Sequence, residues 1–279
     1  MTIKTLKLFY PEWQGYGENN RAWSGAHSIL RTFPQHGFVK IHVPENESLS
    51  MEKGILGRRA ILRNTNCVVK QLSELNPDCL FMIAGTCGAE LAPIAYLNQF
   101  YQDDLAVLWL DAHVDMNTPA SSPSGHFHGM VLSTLMGEGD SDFLEYVPNP
   151  LGPTQIILAG VRDLDAYEAQ IIKEGNIAVI GPEKLTTSNC LVDAIIHLNL
   201  NNLYIHIDVD VLEPSAFEGA QIPVAGGIQT DTLIAQLSAL KDHFNVIGLS
   251  IVEFVSTDLK AAYTLKKVLH EGSPKWLSF

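Results

Sequence analysis

The stretch "LAVLWLDAHVDMNTP", residues 105–119, decides how this chain is read. Leu105 to Leu110 is an unbroken apolar run, the pattern of a strand covered on both faces, as strands of parallel sheets are. Asp111, His113 and Asp115 then arrive at alternate positions, three metal-ligand side chains at the mouth of a core. Comparable runs recur at 5–10, 38–43, 80–84, 155–161, 177–180, 203–209 and 246–252. Helical spacing fills most of the intervals, as at 51–74, 128–137, 190–199, 230–241 and 257–269. Such alternation predicts parallel βαβ units, with about eight strands in a doubly wound α/β sheet and a closed (β/α) barrel as the rival. Both architectures place function in the loops at the carboxyl ends of the strands. No composition break, linker or repeat divides the chain, so residues 1–279 read as one domain.

Composition narrows the function. Hydrophobic residues are 46% of the 279 and charged residues 18%, which suits a chain with a sizeable core. A net charge of −13 argues against nucleic acid and is compatible with a cationic small substrate. The N-terminus lacks a long apolar segment and no run of 18 apolar residues occurs, so neither a secretion signal nor a membrane span is expected. The four cysteines, Cys67, Cys79, Cys87 and Cys190, form no CxxC pair, and free thiols in a cytoplasmic protein are the simplest reading.

A second stretch, "LYIHIDVDVLEP" (203–214), repeats the logic of the first. His206, Asp208 and Asp210 alternate, so they share one strand face, with Ile205, Ile207 and Val209 on the other. A lone strand-end Asp more often caps a helix or closes a turn than it binds metal. Two such clusters, however, put four carboxylates and an imidazole at the ends of two parallel strands. That is enough for two divalent cations with bridging carboxylates, and the donors suit Mn, Fe, Co or Zn. His206 lies one pleat deeper, where it either hydrogen-bonds the site or is a satisfied core histidine.

DAHVD (111–115), DVDVLEP (208–214) and SIVEF (250–254) together resemble the ureohydrolase family of arginase, agmatinase and formimidoylglutamase, whose motifs DAHxD, DVDxxDP and a late-strand Glu occur in the same order. The resemblance runs from about residue 80 to 255 and is closest to arginase-like members. It implies a three-layer α/β/α fold with an eight-stranded, mainly parallel sheet. It also implies hydrolysis of a linear amidine C–N bond, a metal-bridging hydroxide attacking a guanidinium carbon to release urea. Asp111 and Asp208 would bridge two metals, Mn by family, with His113, Asp115 and Asp210 as terminal ligands. Asp115 would also take a proton from water, and Glu253 would anchor the guanidinium.

"NTPASSPSGHFHGM" (117–130) and "GVRDLDAYE" (160–168) resemble the arginase forms of those loops. By that likeness Asn117, Ser124 and His126 would hold a substrate α-carboxylate, and His128 would carry a proton to the leaving amine. Asp165 and Glu168 would sit near the α-amino group, although the pair also spells a helix capping box. The substrate implied is L-arginine or a close α-amino guanidino acid, with agmatine and formimidoylglutamate as alternatives. A homo-oligomer, trimer or hexamer, is implied as well, without an extended C-terminal assembly tail beyond Phe279.

Besides His126, which stands where the family has an asparagine, two stretches depart from the family pattern. The family's first metal-ligand histidine falls on Cys87, in "AGTCG" (84–88), and the threonine before Pro223 is Ile222. A thiolate at position 87 favours Zn, Fe or Co over Mn and leaves the site one charge more negative than an imidazole would. Three outcomes stay open: Cys87 as ligand in an unusual two-metal site, an inert thiol beside one metal, or a non-catalytic ligand-binding relative. Restoring the imidazole by Cys87→His is expected to raise Mn occupancy, measured by metal analysis. A thiol enzyme using Cys87 and His113 lacks an orienting third group at suitable spacing.

Overall fold

Period-two alternation sorts the side chains of each apolar run to two faces, and the fold covers both. The computed structural model describes residues 3–34, 36–186 and 189–277; Phe279 lies outside them. The strands are β1 (Thr5–Tyr10), β2 (Phe38–Lys40), β3 (Met51–Glu52), β4 (Ile55–Leu56), β5 (Cys79–Ala84), β6 (Leu105–Leu110), β7 (Ile156–Ala159), β8 (Ala178–Ile180), β9 (Asn202–Asp208) and β10 (Asn245–Val252). The helices are α1 (Arg21–Arg31), α2 (Arg58–Leu75), α3 (Leu91–Phe100), α4 (Val131–Leu135), α5 (Ser141–Leu144), α6 (Ala166–Gly175), α7 (Cys190–Ile196), α8 (Thr230–His243) and α9 (Leu259–Gly272).

Eight strands form one open sheet in the order β2-β1-β5-β10-β9-β6-β7-β8, every pairing parallel. The closed barrel is therefore set aside, and all eight apolar runs are strands. On one face Leu8, Leu80, Met82, Val107, Trp109 and Leu158 pack with α2, α3 and α4; Ile61, Val68 and Leu72 of α2 recur at helical spacing. On the other, Phe81, Ile83, Leu108, Ile205 and Leu249 pack with α1, α7, α8 and α9. The result is a three-layer α/β/α arrangement.

Three expected helices are shorter than their sequence spacing suggests, that at 190–199 stopping at Ile196. Residues 51–56 form a β3–β4 hairpin, because Lys53 (φ 49°) and Gly54 (φ 79°) make a left-handed turn before α2 begins at Arg58. Residues 128–137 reduce to a 3₁₀ turn followed by α4, ended at Gly137 (φ 91°).

The chain builds outward to both edges of the sheet and returns to lay β9 and β10 between β5 and β6. The carboxyl ends of β5, β10, β9 and β6 therefore stand side by side, at the switch point where an open parallel sheet leaves a crevice.

Candidate metal centre

Each central strand delivers one acidic or thiol side chain to that crevice: Cys87 after β5, Glu253 after β10, Asp208 at the end of β9 and Asp111 after β6. Register fixes their proximity, since Leu110 pairs with Ile207 and Val252 with Asp208. Asp111 faces two ways. Its Oδ1 accepts from the His113 amide at 2.6 Å and lies 3.4 Å from His113 Nδ1. Its Oδ2 lies 3.8 Å from His206 Nε2 and 4.0 Å from Cys87 Sγ, and accepts from Trp109 Nε1 at 3.1 Å. Asp210 Oδ2 is 2.9 Å from His113 Nδ1, and Asp208 Oδ2 is 3.3 Å from Cys87 Sγ.

Three sets of ligand atoms lie within 4.8 Å of one another: Cys87, Asp111, Asp115 and His206; Cys87, Asp208 and Glu253; Asp111, His113 and Asp210. Burial and mutual repulsion govern their charge. Burial, then the charge of Asp111, raises Asp115 well above the ordinary carboxylate range. Burial raises Asp208 too, with repulsion from Asp210 and Asp111, and Asp210 is pushed up to about 7 by burial and Asp111. Burial, then Asp115 and Asp208, lifts the Cys87 thiol. Burial also opposes ionisation of Asp111, yet the neighbouring imidazoles of His113 and His206 hold it below the carboxylate range. His113 loses by burial but gains more from Asp111 and Asp210, which push it up to about 12. The cluster thus holds protons in place of other positive charge, and divalent cations fit the donor set.

A cavity of about 130 Å³ opens onto the cluster, lined by His113, Asp115, Asn117, His128, Gly129, Glu168, Asp208, Asp210, Ile222 and Glu253. Asp115 (φ 56°) and Glu253 (φ 60°) both hold left-handed backbone, a strained conformation for such residues. Each also buries a carboxylate oxygen, Asp115 Oδ2 and Glu253 Oε2, with no hydrogen-bond partner among the described residues. The other Glu253 oxygen accepts from the Cys87 amide at 3.0 Å and lies 3.1 Å from His128 Nδ1.

The remaining expected residues divide. Asn117 and Glu168 line the cavity, whereas Asp165 does not. Asp165 caps α6 in a reciprocal box with Glu168 and accepts from Asn117 Nδ2 at 2.9 Å. Ser124 is exposed and His126 turns to Glu18, its Nε2 3.5 Å from Oε1, so both stand outside the cavity wall. His126 still neighbours His128, with ring centroids 5.9 Å apart. Ile222 puts an apolar group on the wall.

Two further acids belong to the site without any sequence motif to mark them. Glu12, buried beneath the Cys87 turn, accepts from the Thr86 hydroxyl and the Gly15 amide. Glu90 is buried behind His206. For Glu90 the one available signal is a charged residue beside an apolar helix start.

The arginase-family model matches residues 34–264. The chain belongs to the arginase family. An arginase of Staphylococcus aureus is 33% identical over 226 residues, covering 78% of this chain and 74% of that protein. In fold, an arginase of Entamoeba histolytica in complex with L-ornithine superposes with a TM-score of 0.87 at 19% identity, covering 97% of this chain and 99% of its own. An arginase of Bacillus subtilis gives 0.81 at 21%, covering 98% and 100%. This arginase-family chain is a hydrolase acting on amidino C–N bonds.

Proposed function

We propose that the chain hydrolyses L-arginine, or a close α-amino guanidino acid, to urea and an amine with two divalent cations at the strand ends. The observation that carries the reading is the pair of orphaned buried oxygens, Asp115 Oδ2 and Glu253 Oε2, on one small cavity. A buried carboxylate oxygen without a donor is costly, and its cost is relieved by a cation or a guanidinium. Cations held there would supply Lewis acidity, lowering the pKa of a bound water so that it can act as the nucleophile.

The chain's own residues supply the rest. Asp111, with one oxygen towards His113 and the other towards Cys87, would hold both cations, and Asp208 would be the second carboxylate shared between them. His113, Asp115 and Asp210 would be terminal ligands, joined by Cys87. Glu253 Oε2 receives guanidinium N–H groups and so orients the carbon for attack. Asp115 accepts the water proton. His128, already beside Glu253, passes a proton to the leaving amine as the C–N bond breaks. Asn117 on the wall, with Ser124 and His126 farther out, receives the α-carboxylate, and Glu168 backed by Asp165 the α-amino group.

Manganese is the metal the family resemblance implies; the Cys87 sulfur shifts the preference towards Zn, Fe or Co. Among the described residues no helix is long and apolar enough to cross a membrane. We read residues 1–279 as one domain of a cytoplasmic homo-oligomer, trimer or hexamer. The test is urea release from L-arginine, against agmatine and formimidoylglutamate, after loading with Mn, Co, Fe or Zn and counting metals by mass spectrometry. Two metals per chain and a preference for arginine are expected. No turnover of any guanidino compound by a fully loaded chain would sink the proposal.

A further inference from the structure

We infer that His206, from inside strand β9, is a metal ligand that takes over the imidazole role vacated at Cys87. The inference rests on the metal-hydrolase reading and concerns only how one cation is held.

His206 stands on one rung of the sheet with Trp109 of β6 and Ser250 of β10, its register partners on either side. Trp109 stacks on the imidazole, centroids 3.6 Å apart and planes at 16°, which fixes the ring plane. Glu90, at the start of α3, fixes the ring's rotation: its Oε1 lies 2.8 Å from His206 Nδ1. The same carboxylate accepts from Tyr204 Oη at 2.6 Å and from the Ser250 hydroxyl. With donors on every side, Glu90 acts as an acceptor, so the proton between it and His206 belongs on Nδ1. Nε2, on the far side of the ring from Glu90, then faces the acid cluster, where it offers a lone pair to a cation that displaces its proton.

There Nε2 meets Cys87 Sγ at 3.8 Å and Asp111 Oδ2 at 3.8 Å, and Asp115 completes the group. Ligands bonded at about 2.0–2.3 Å in a tetrahedral site stand roughly 3.3–3.8 Å from each other. The spacing is that of a site sized for such an ion. An imidazole whose far nitrogen donates to a buried carboxylate is also the arrangement that holds and orients metal-bound histidines. His206 is fully buried, and Nε2 lies in one cluster with Cys87, Asp111 and Asp115, acids that gain from a cation. The resulting set of imidazole, thiolate and two carboxylates favours Zn or Co over Mn.

The zinc-loaded wild-type protein, studied by X-ray absorption at the zinc edge, gives the first test. With two zinc ions per chain, His113 and His206 together supply an average of one imidazole per zinc; an average of one half, from His113 alone, overturns the inference. In parallel, His206→Ala is expected to lose one of two metals in native mass spectrometry. Glu90→Gln, which leaves the ligand but loosens its aim, is expected to weaken that site about 10–100-fold. Retention of both metals with an unchanged imidazole signal in His206→Ala also overturns it. If His206→Ala does not fold, the wild-type spectrum and Glu90→Gln decide. Urea release is not a readout here. A loaded chain with His206 bound that spares every guanidino compound removes the hydrolase reading and keeps this inference; an active His206→Ala form with both metals does the reverse.

Discussion

Glu253 divides its work between two oxygens. One is tied to the Cys87 amide and His128, and the other is buried with no partner among the described residues. Replacing the free oxygen in Glu253→Gln puts an amide where a guanidinium is to be received, and donor meets donor. We expect kcat/KM for the guanidino substrate to fall by about 10²-fold or more while metal content stays at the wild-type value. Near-normal kinetics in that variant would show that the substrate is oriented elsewhere. Glu12, just beneath, makes a prediction about stability. Burial pushes its carboxyl from an ordinary value of 4.5 up to about 7, against hydrogen bonds from Thr86 and Gly15. Between those values the folded chain holds a proton that the unfolded chain has released. Its contribution to stability is thus complete below pH 4.5 and is lost as pH rises through 7, a change on the order of 3 kcal/mol. In metal-free protein, Glu12→Gln should flatten that part of the stability–pH curve, read by urea denaturation at pH about 5 and 8. Parallel curves for the two proteins would refute it.

Among the elements, the loops after β1 and β5 are pressed together under the site. A Cβ built on Gly85 would stand 1.8 Å from the Glu12 backbone oxygen, and the Gly85 carbonyl accepts from the Glu253 amide. Gly85→Ala is therefore expected to cost about 1–3 kcal/mol, seen as a lower denaturation midpoint, and to displace Glu253. An unchanged midpoint would mean that the two loops part freely.

All eight sheet strands are legible in the sequence because strands covered on both faces are written as continuous apolar runs. The β3–β4 hairpin is not, because Met51 and Ile55 are four apart, as on a helix, and only the turn at Lys53 and Gly54 breaks that pattern. In the site, residues carried by alternation on one strand (Asp111, His113, Asp115, Asp208, Asp210) are legible. Glu90 is not: it meets His206 across 116 positions of sequence, and the register of three strands brings them together.

Over the whole molecule, a chain of net charge −13 gathers four buried aspartates, Asp111, Asp115, Asp208 and Asp210, at the centre of its only large sheet among the described residues. Without cations the carboxyls of this region are pushed towards their neutral forms, with His113 and His206 beside Asp111 as counter-charge, because the four strand ends carry groups that repel one another. Cations that bind the folded chain alone stabilise it by mass action, about 4 kcal/mol per site at a thousandfold excess over Kd. Two such sites would raise Tm on the order of 10 °C or more in a chain of this size, at about 2–4 °C per kcal/mol. Chelation should therefore lower Tm by that amount, and stoichiometric readdition of zinc or cobalt should restore it in two steps. The steps are informative in themselves: in Cys87→Ala the first is expected to survive, because His113, Asp111 and Asp210 form a set without the thiol. A Tm unchanged after chelation that is shown to have removed both metals would mean that the aspartates are already balanced without them, and the cluster would lose its standing as a centre that metals stabilise.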